Sequence, residues 1–310
     1  MPFAFDEFEI SNPTPAFVVL LKRYNIEQRE AQRIIDRGRL ICNNKTINVK
    51  NQLISGKIKV LIFMPKSQGL KPILTTNDFL IFDKPSGVLV HPKKVITPYS
   101  MLDEVRHFGG EKANGVHRID METSGLFLAS KNRETEIKLK GMFEKKEIKK
   151  TYLAWVRGNT KDYFTVDAPI KIRDDYSTSK HKVEINSSGK AAKTIFKKVL
   201  YNKELDATLL DITPLTGRTH QIRIHLFHVK HPILGDPLYG TSFEVAEAYL
   251  EERLSKIDRA KFTGATRLML HANTLEFTLF NKFFIKSQVD FKALSSEITP
   301  KSNREKALYD

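Results

Sequence analysis

The 310-residue chain is long enough for two domains, and 41% apolar residues with 15 Gly and 13 Pro exclude disordered and collagen-like architectures. Its 51 Lys and Arg against 36 Asp and Glu leave a net +15, which calls for a polyanionic partner, nucleic acid or an anionic membrane surface. A single cysteine, Cys42, leaves no internal disulfide and no cysteine-based zinc or iron–sulfur site, and fits a reducing cytoplasm.

The first 15 residues end in N-P-T-P and read as a loose leader. They lack the basic lead and apolar stretch of a signal peptide, and the run Ala16–Leu21 is far too short to cross a bilayer. Residues 16–64 read as a compact basic unit. Ten Lys and Arg against three acids give +7 within residues 17–63. Two short helices are expected at Ala16–Tyr24 and Glu27–Arg37, followed by Gly38, which suits a helix C-terminus. Strands follow at Leu40–Cys42, Thr46–Val49 and Lys59–Phe63.

Residues 65–74, with P-K-S-Q-G-L-K-P, break the periodicity and read as a linker. Over 75–291 short β-branched and aromatic runs predominate: Phe79–Phe82, Leu126–Ala129, Thr151–Val156, Thr194–Val199, Thr208–Thr213, Leu268–His271 and Leu275–Leu279. Helices are expected near Arg133–Lys146, Thr219–Val229 and Phe243–Lys256. Strands interrupted by irregularly spaced helices argue an α+β domain with a mixed, largely antiparallel sheet. Residues 292–310 read as a C-terminal tail.

Within G-V-H-R-I-D-M-E-T-S-G-L-F-L-A-S, Asp120 sits in a polar turn just before an apolar strand. A carboxylate there is either a reacting group on a strand-braced loop or an Asp that fixes the turn. The run Lys138–Lys150 carries six lysines against two glutamates, a solvated helix face or an RNA-contact ridge. The histidines at 220, 225, 228 and 231 are dense, but their spacing is not that of a metal-ligand set.

Two resemblances sharpen this reading. F-V-V-L-L, R-E-A-Q-R-I-I-D-R-G-R-L-I-C-N-N-K and L-I-S-G-K-I-K-V together resemble the alpha-L RNA-binding motif over about 50 residues. The chain departs from it at Ile41-Cys42-Asn43-Asn44 and at Gly56-Lys57. The resemblance implies an RNA-facing second helix, here carrying Arg29, Arg33, Arg37 and Arg39. Arginine suits phosphate because its planar fork bonds two oxygens at once.

The segment H-R-I-D-M-E-T-S-G-L resembles the signature of the RluA-type pseudouridine synthases, with Ile119 for the usual Leu. Three further blocks follow the same family pattern: F-D-K-P-S-G-V-L-V-H-P with Asp83 for the usual Asn, K-T-Y-L-A at 150–154, and L-T-G-R-T-H-Q-I-R-I-H continued by H-P-I-L-G-D. That resemblance implies isomerisation of uridine in RNA. The bond from uracil to the anomeric carbon breaks, the base turns, and it rejoins through a ring carbon. No redox change occurs and no atom enters or leaves, so no cofactor and no metal are expected.

Asp120 matches the family's reacting carboxylate, acting either as nucleophile or in removing a sugar proton. Tyr152 matches the active-site tyrosine, able to stack on uracil and serve in proton transfer. Arg218 matches the arginine expected to pair with Asp120, ahead of Arg223. Arg118 resembles the residue that fills the space left by a flipped base. His117, Arg223 and Leu270 complete the expected substrate contacts, with Leu268 as the alternative apolar wall.

The implied partner is structured RNA, ribosomal RNA of the large subunit first and transfer RNA second, with no membrane and a monomeric chain. Two other readings remain. One is an RNA-binding protein of the same fold without catalysis, against which the intact Asp120, Tyr152 and Arg218 argue. The other is a glycosidic hydrolase, which needs a second carboxylate or a metal, and Glu122 is the only acid close by.

Overall fold

The computed structural model describes residues 2–177 and 179–304. The chain divides into two compact units, one formed by residues up to Gln68 together with His91–His107, the other by Gly69–Val90 and the chain from Phe108 onward.

The first unit begins with β1 (Phe3–Pro15), a 13-residue strand where a loose leader was expected. Its residues alternate, with Ala4, Asp6, Phe8 and Ile10 turned inward, the period-two signature of a half-buried strand. The two prolines that suggested a loop fall near the strand's end, Pro13 within a break in pairing between Ile10 and Thr14 and Pro15 just past it. Helices α1 (Ala16–Tyr24) and α2 (Gln28–Asp36) follow. Ala16, Val19 and Leu20 bury one face of α1, and Ala31 and Ile35 one face of α2, as i, i+3, i+4 spacing dictates.

Strands β2 (Leu40–Cys42), β3 (Lys45–Thr46) and β4 (Leu53–Phe63) complete an antiparallel sheet in the order β1-β4-β2-β3. Strand β3 is shorter, and β4 longer, than the apolar runs predicted. The arginines expected to face RNA lie on and just beyond α2. Arg29, Arg33 and Arg37 are exposed, and Arg39 stacks over the Phe3 ring at 4.5 Å.

Helix α3 (Met101–Gly109) was not foreseen. Its first-turn acids Asp103 and Glu104 are fully buried, and they receive the segment read as a linker. The Lys66 amide donates to Asp103 at 3.0 Å, while the Ser67 hydroxyl and Gln68 amide donate to Glu104 at 2.6 Å each. Residues 66–68 are therefore hydrogen-bonded structure, not a free tether.

The second unit contains a ten-stranded sheet. It is built from β5 (Leu74–Thr75), β6 (Phe79–Lys84), β7 (Asn114–Gly115), β8 (Ser124–Ser130), β9 (Lys149–Arg157) and β10 (Tyr163–Asp167). A separate hairpin of β11 (Ile170–Ile172) and β12 (Val183–Ile185) precedes β13 (Lys193–Asn202), β14 (Ala207–Pro214), β15 (Leu270–Thr278) and β16 (Lys282–Lys286), which complete the large sheet. The main order is β10-β13-β14-β9-β15-β8-β6-β5, with β16 on β15 and β7 on β8. All its pairings are antiparallel except β15 with β8, so the α+β expectation holds.

Two apolar runs predicted as separate strands, Leu268–His271 and Leu275–Leu279, merge into β15. A shift in register between Ala272 and Thr274 accounts for the interruption.

Helices α4 (Arg133–Glu144), α5 (Gln221–His228), α6 (Phe243–Leu250) and α7 (Lys256–Thr263) flank the strands. The last two replace one predicted helix, Phe243–Lys256. Glu252 adopts φ 60, and Ser255 caps a new helix by accepting from the Asp258 amide. Trp155, Phe79, Phe127, Phe196 and Phe291 fill the core.

The segment read as a tail packs as far as it is described. Ile298 is buried, and Arg304 donates to the Thr299 and Leu205 carbonyls at 2.7 and 2.5 Å. Residues 305–310 of that expected tail lie outside the described residues.

Candidate active site

Asp120 lies on the loop that enters β8, and several contacts hold this loop. Its own carbonyl accepts from the Thr123 amide at 3.1 Å, closing a turn. Lys84, at the end of β6 and fully buried, donates to the carbonyls of Pro85, Val88 and Met121 at 2.8–2.9 Å. Burial pushes the Lys84 ammonium down to about 7, opposed by the carboxylates of Glu122 and Asp120. Beyond the loop, Gly125 adopts φ +101, and a Cβ there would meet the Ala272 carbonyl at 2.2 Å, so β8 passes β15 closer than any side chain allows.

Asp120, Arg118, Lys150, Tyr152, Arg218, Arg223 and Leu270 line one cleft together with His220. Tyr152 and Lys150 come from β9, Leu270 from the start of β15, and Arg223 from α5. Arg118 is exposed where it borders the cleft. Leu268, the alternative apolar wall, is buried in the core instead.

The arginine facing Asp120 is Arg223, its Nη1 3.5 Å from Asp120 Oδ2. Arg218 was expected there. It precedes α5, is exposed, and donates its Nε–H to the Ala191 carbonyl at 3.1 Å. Arg223 lies on the first turn of the helix, where its side chain turns inward and is 3% exposed. Its Nε and Nη2 grip Asp236 at 2.7 and 2.8 Å. Burial alone would lower the Arg223 pKa, but Asp236 and then Asp120 outweigh it and hold the guanidinium charged. Asp236 is lowered in turn: burial raises it, and Arg223 outweighs burial.

Tyr152 is nearly buried. Burial, and secondarily the charge of Asp120, raise its phenol well above the ordinary value, so it stays protonated. His117 does not line the cleft. Its Nε2 accepts from the Leu128 amide at 3.0 Å and its ring stacks on Phe143 at 4.6 Å, which makes it a brace of the loop. Burial pushes its pKa down to about 3.

Glu122, the acid a hydrolase would need, is committed elsewhere. It accepts from Arg259 at 2.7 Å and from the Tyr249 hydroxyl at 2.9 Å. Among the described residues no group of three or more His, Cys, Asp or Glu gathers as metal ligands. His225 bonds Thr194 and the Ala168 carbonyl, and His231 the Arg157 carbonyl. Asp83, the departure from the family pattern, accepts from Ser287 Oγ at 2.6 Å and the Gln288 amide at 2.9 Å.

Sequence reasoning gave no role to Asp236, Lys84, His220 or Tyr239. The first three stand inside quoted blocks, but their partners lie far away in sequence. No helix among the described residues is long and apolar enough to cross a membrane.

The sequence model of RNA pseudouridylate synthases matches residues 78–228. An uncharacterised RNA pseudouridine synthase of Helicobacter pylori (strain ATCC 700392 / 26695) is 40% identical over 89% of this chain and 91% of its own. Ribosomal large subunit pseudouridine synthase C of Buchnera aphidicola subsp. Baizongia pistaciae is 33% identical over 79% of each chain. The solved structure of human RNA pseudouridylate synthase domain containing 1 shares the fold, with a TM-score of 0.60 at 22% identity over 79% of this chain and 94% of that one. Cleft, motif blocks and relatives agree: the chain belongs to the RNA pseudouridylate synthase family, as an isomerase of the RluA type.

Proposed function

We propose that this enzyme converts specific uridines of large-subunit ribosomal RNA to pseudouridine, with Asp120 as the reacting carboxylate. The observation that carries the chemistry is the Asp120–Arg223 pair at 3.5 Å, in a cleft also lined by Tyr152 and Leu270. A fixed countercharge keeps the carboxylate oriented where a sugar or base would dock.

Tyr152 stacks on the uracil. Because its phenol stays protonated, it takes the ring-carbon proton only by passing its own proton onward. Leu270 forms the apolar wall, and Arg118, exposed beside the cleft, fills the helix after the target base flips out. No cofactor or metal enters this scheme, since the isomerisation moves one bond and one proton without redox change. The ribosomal target is supported by relatives named as large-subunit synthases C and D, and the exposed Arg29, Arg33 and Arg37 of the first unit supply a phosphate-binding surface. The enzyme works in the cytoplasm as a monomer.

Pseudouridine mapping of ribosomal and transfer RNA from a deletion strain tests the assignment. Loss of sites in large-subunit RNA, restored by wild type and not by Asp120→Asn, is the expected result. Loss confined to transfer RNA overturns the ribosomal target, and rescue by Asp120→Asn overturns the role of the carboxylate.

A further inference from the structure

His220 caps α5 in the left-handed backbone region, φ 51, which His tolerates better than most residues. Its Nδ1 lies 2.9 Å from the Tyr239 hydroxyl and its Nε2 3.7 Å from Asp120 Oδ2. Burial first, and then the charge of Arg223, push the imidazole down to about 4 against the pull of Asp120 and Asp236. The ring is therefore neutral near pH 7 and carries one N–H.

That hydrogen sits on Nε2 for two reasons. Burial holds the Tyr239 phenol well above its ordinary value, so its hydroxyl keeps a proton that is available for Nδ1, 2.9 Å away. Nδ1 is then the acceptor and Nε2 carries the hydrogen. The opposite tautomer would turn the Nε2 lone pair toward a carboxylate oxygen. The charged groups around the ring are Arg223, Asp120, Asp236 and Lys182, and His181 packs on the far side of Tyr239 at 4.7 Å.

We propose that His220 is a positioning residue for Asp120, a neutral imidazole whose Nε2–H, fixed by Tyr239, is directed at Oδ2 and leaves Oδ1 to react. Arg223 meets the same oxygen, Oδ2, so both donors hold one side of the carboxylate. At 3.7 Å the His220 contact is longer than a hydrogen bond and acts electrostatically, the geometry expected before substrate is bound. The assignment rests on Asp120 being the reacting group, as proposed above.

The test uses the full chain on in vitro transcribed large-subunit ribosomal RNA, with single-turnover rates from about pH 5 to about pH 9. His220→Asn suits the φ of 51 but is too short to reach Asp120. It is expected to slow the reaction about tenfold and move the acid limb to higher pH. His220→Gln, long enough to donate, recovers most of both. Tyr239→Phe shifts the limb in the same direction by less.

Nitrogen-15 spectra of histidine-labelled wild type, with the His220 signal identified by its loss in His220→Gln, are expected to show a protonated Nε2 and a bare Nδ1. An acid limb unmoved in His220→Asn, or a protonated Nδ1, overturns the proposal. Turnover by Asp120→Asn would instead overturn the role of Asp120, while the spectra still read the tautomer without any catalysis.

Discussion

Arg223 holds Asp236 through two parallel hydrogen bonds, 2.7 and 2.8 Å long, in a site where both side chains are buried. The third guanidinium nitrogen is thereby aimed at Asp120. Asp236 itself is pinned by the Leu238 and Tyr239 amides at 2.9 and 3.1 Å. The orientation of Arg223 thus derives from a turn 13 residues further along the chain.

Arg223→Ala is expected to abolish turnover and destabilise the protein by about 3–5 kcal/mol, because it leaves Asp236 buried without its countercharge. Arg218→Ala removes an exposed side chain and is expected to change stability by less than about 0.5 kcal/mol. Denaturant unfolding beside single-turnover rates separates the two. Equal stability losses would refute the division of labour between these arginines.

Tyr152→Phe keeps the ring and removes only the hydroxyl. It is expected to bind RNA like wild type and to stall after the glycosidic bond has broken. Single-turnover kinetics with detection of the accumulated adduct checks this. A wild-type rate would exclude the hydroxyl from proton transfer.

Replacing Arg29, Arg33 and Arg37 together by Gln is expected to reduce the slope of log affinity against log salt by about 2–3 units, at about 0.7–0.9 per phosphate contact. The rate at saturating RNA is expected to stay unchanged. Binding across a salt series measures the slope, and an unaltered slope would assign this helix face to something other than RNA.

A buried chain of hydrogen bonds makes a prediction about acid stability. Arg267 donates to Ser124 at 3.2 Å, Ser124 bonds His271 Nδ1 at 2.9 Å, His271 Nε2 bonds Ser287 at 2.8 Å, and Ser287 donates to Asp83 at 2.6 Å. His271 is fully buried, and its burial, partly offset by Asp83, pushes its pKa down to about 4. Above pH 6.5 both folded and unfolded chains carry it neutral. As pH falls toward 4 only the unfolded chain takes the proton, so stability drops, by about 3 kcal/mol for this residue, and then levels off. Unfolding free energies across that window should fall less steeply in His271→Gln, by about one proton. Identical slopes would place the sensitivity elsewhere.

Motif blocks made the cleft readable. H-R-I-D, K-T-Y and T-G-R-T-H-Q-I-R contributed Asp120, Tyr152 and the arginines at 118, 218 and 223, and all five line the cleft. Which arginine pairs with Asp120 was not readable. That depends on α5 starting at Gln221, which leaves Arg218 outside the helix and turns Arg223 inward. His117 was read as a substrate contact from the family resemblance, but its ring stacks on Phe143 and its Nε2 is taken by the Leu128 amide. β1 was masked by its terminal prolines, and α3 by the lysine- and proline-rich stretch before it. Both elements are stabilised by partners distant in sequence, Phe3 pairing with Phe63 and Asp103 with Lys66.

The interleaved order of the two units also governs how the protein is made. A ribosome delivers the chain from its N-terminus, yet the first unit includes residues 91–107. The apolar core of that unit, drawn from Ala16 to Val60, is complete on its own and can close first. Residues 66–68 must then wait for Asp103 and Glu104, and by the time these arrive β5 and β6 of the second unit have already left the exit tunnel. A translational pause before residue 103 would leave a folded core trailing an unanchored segment.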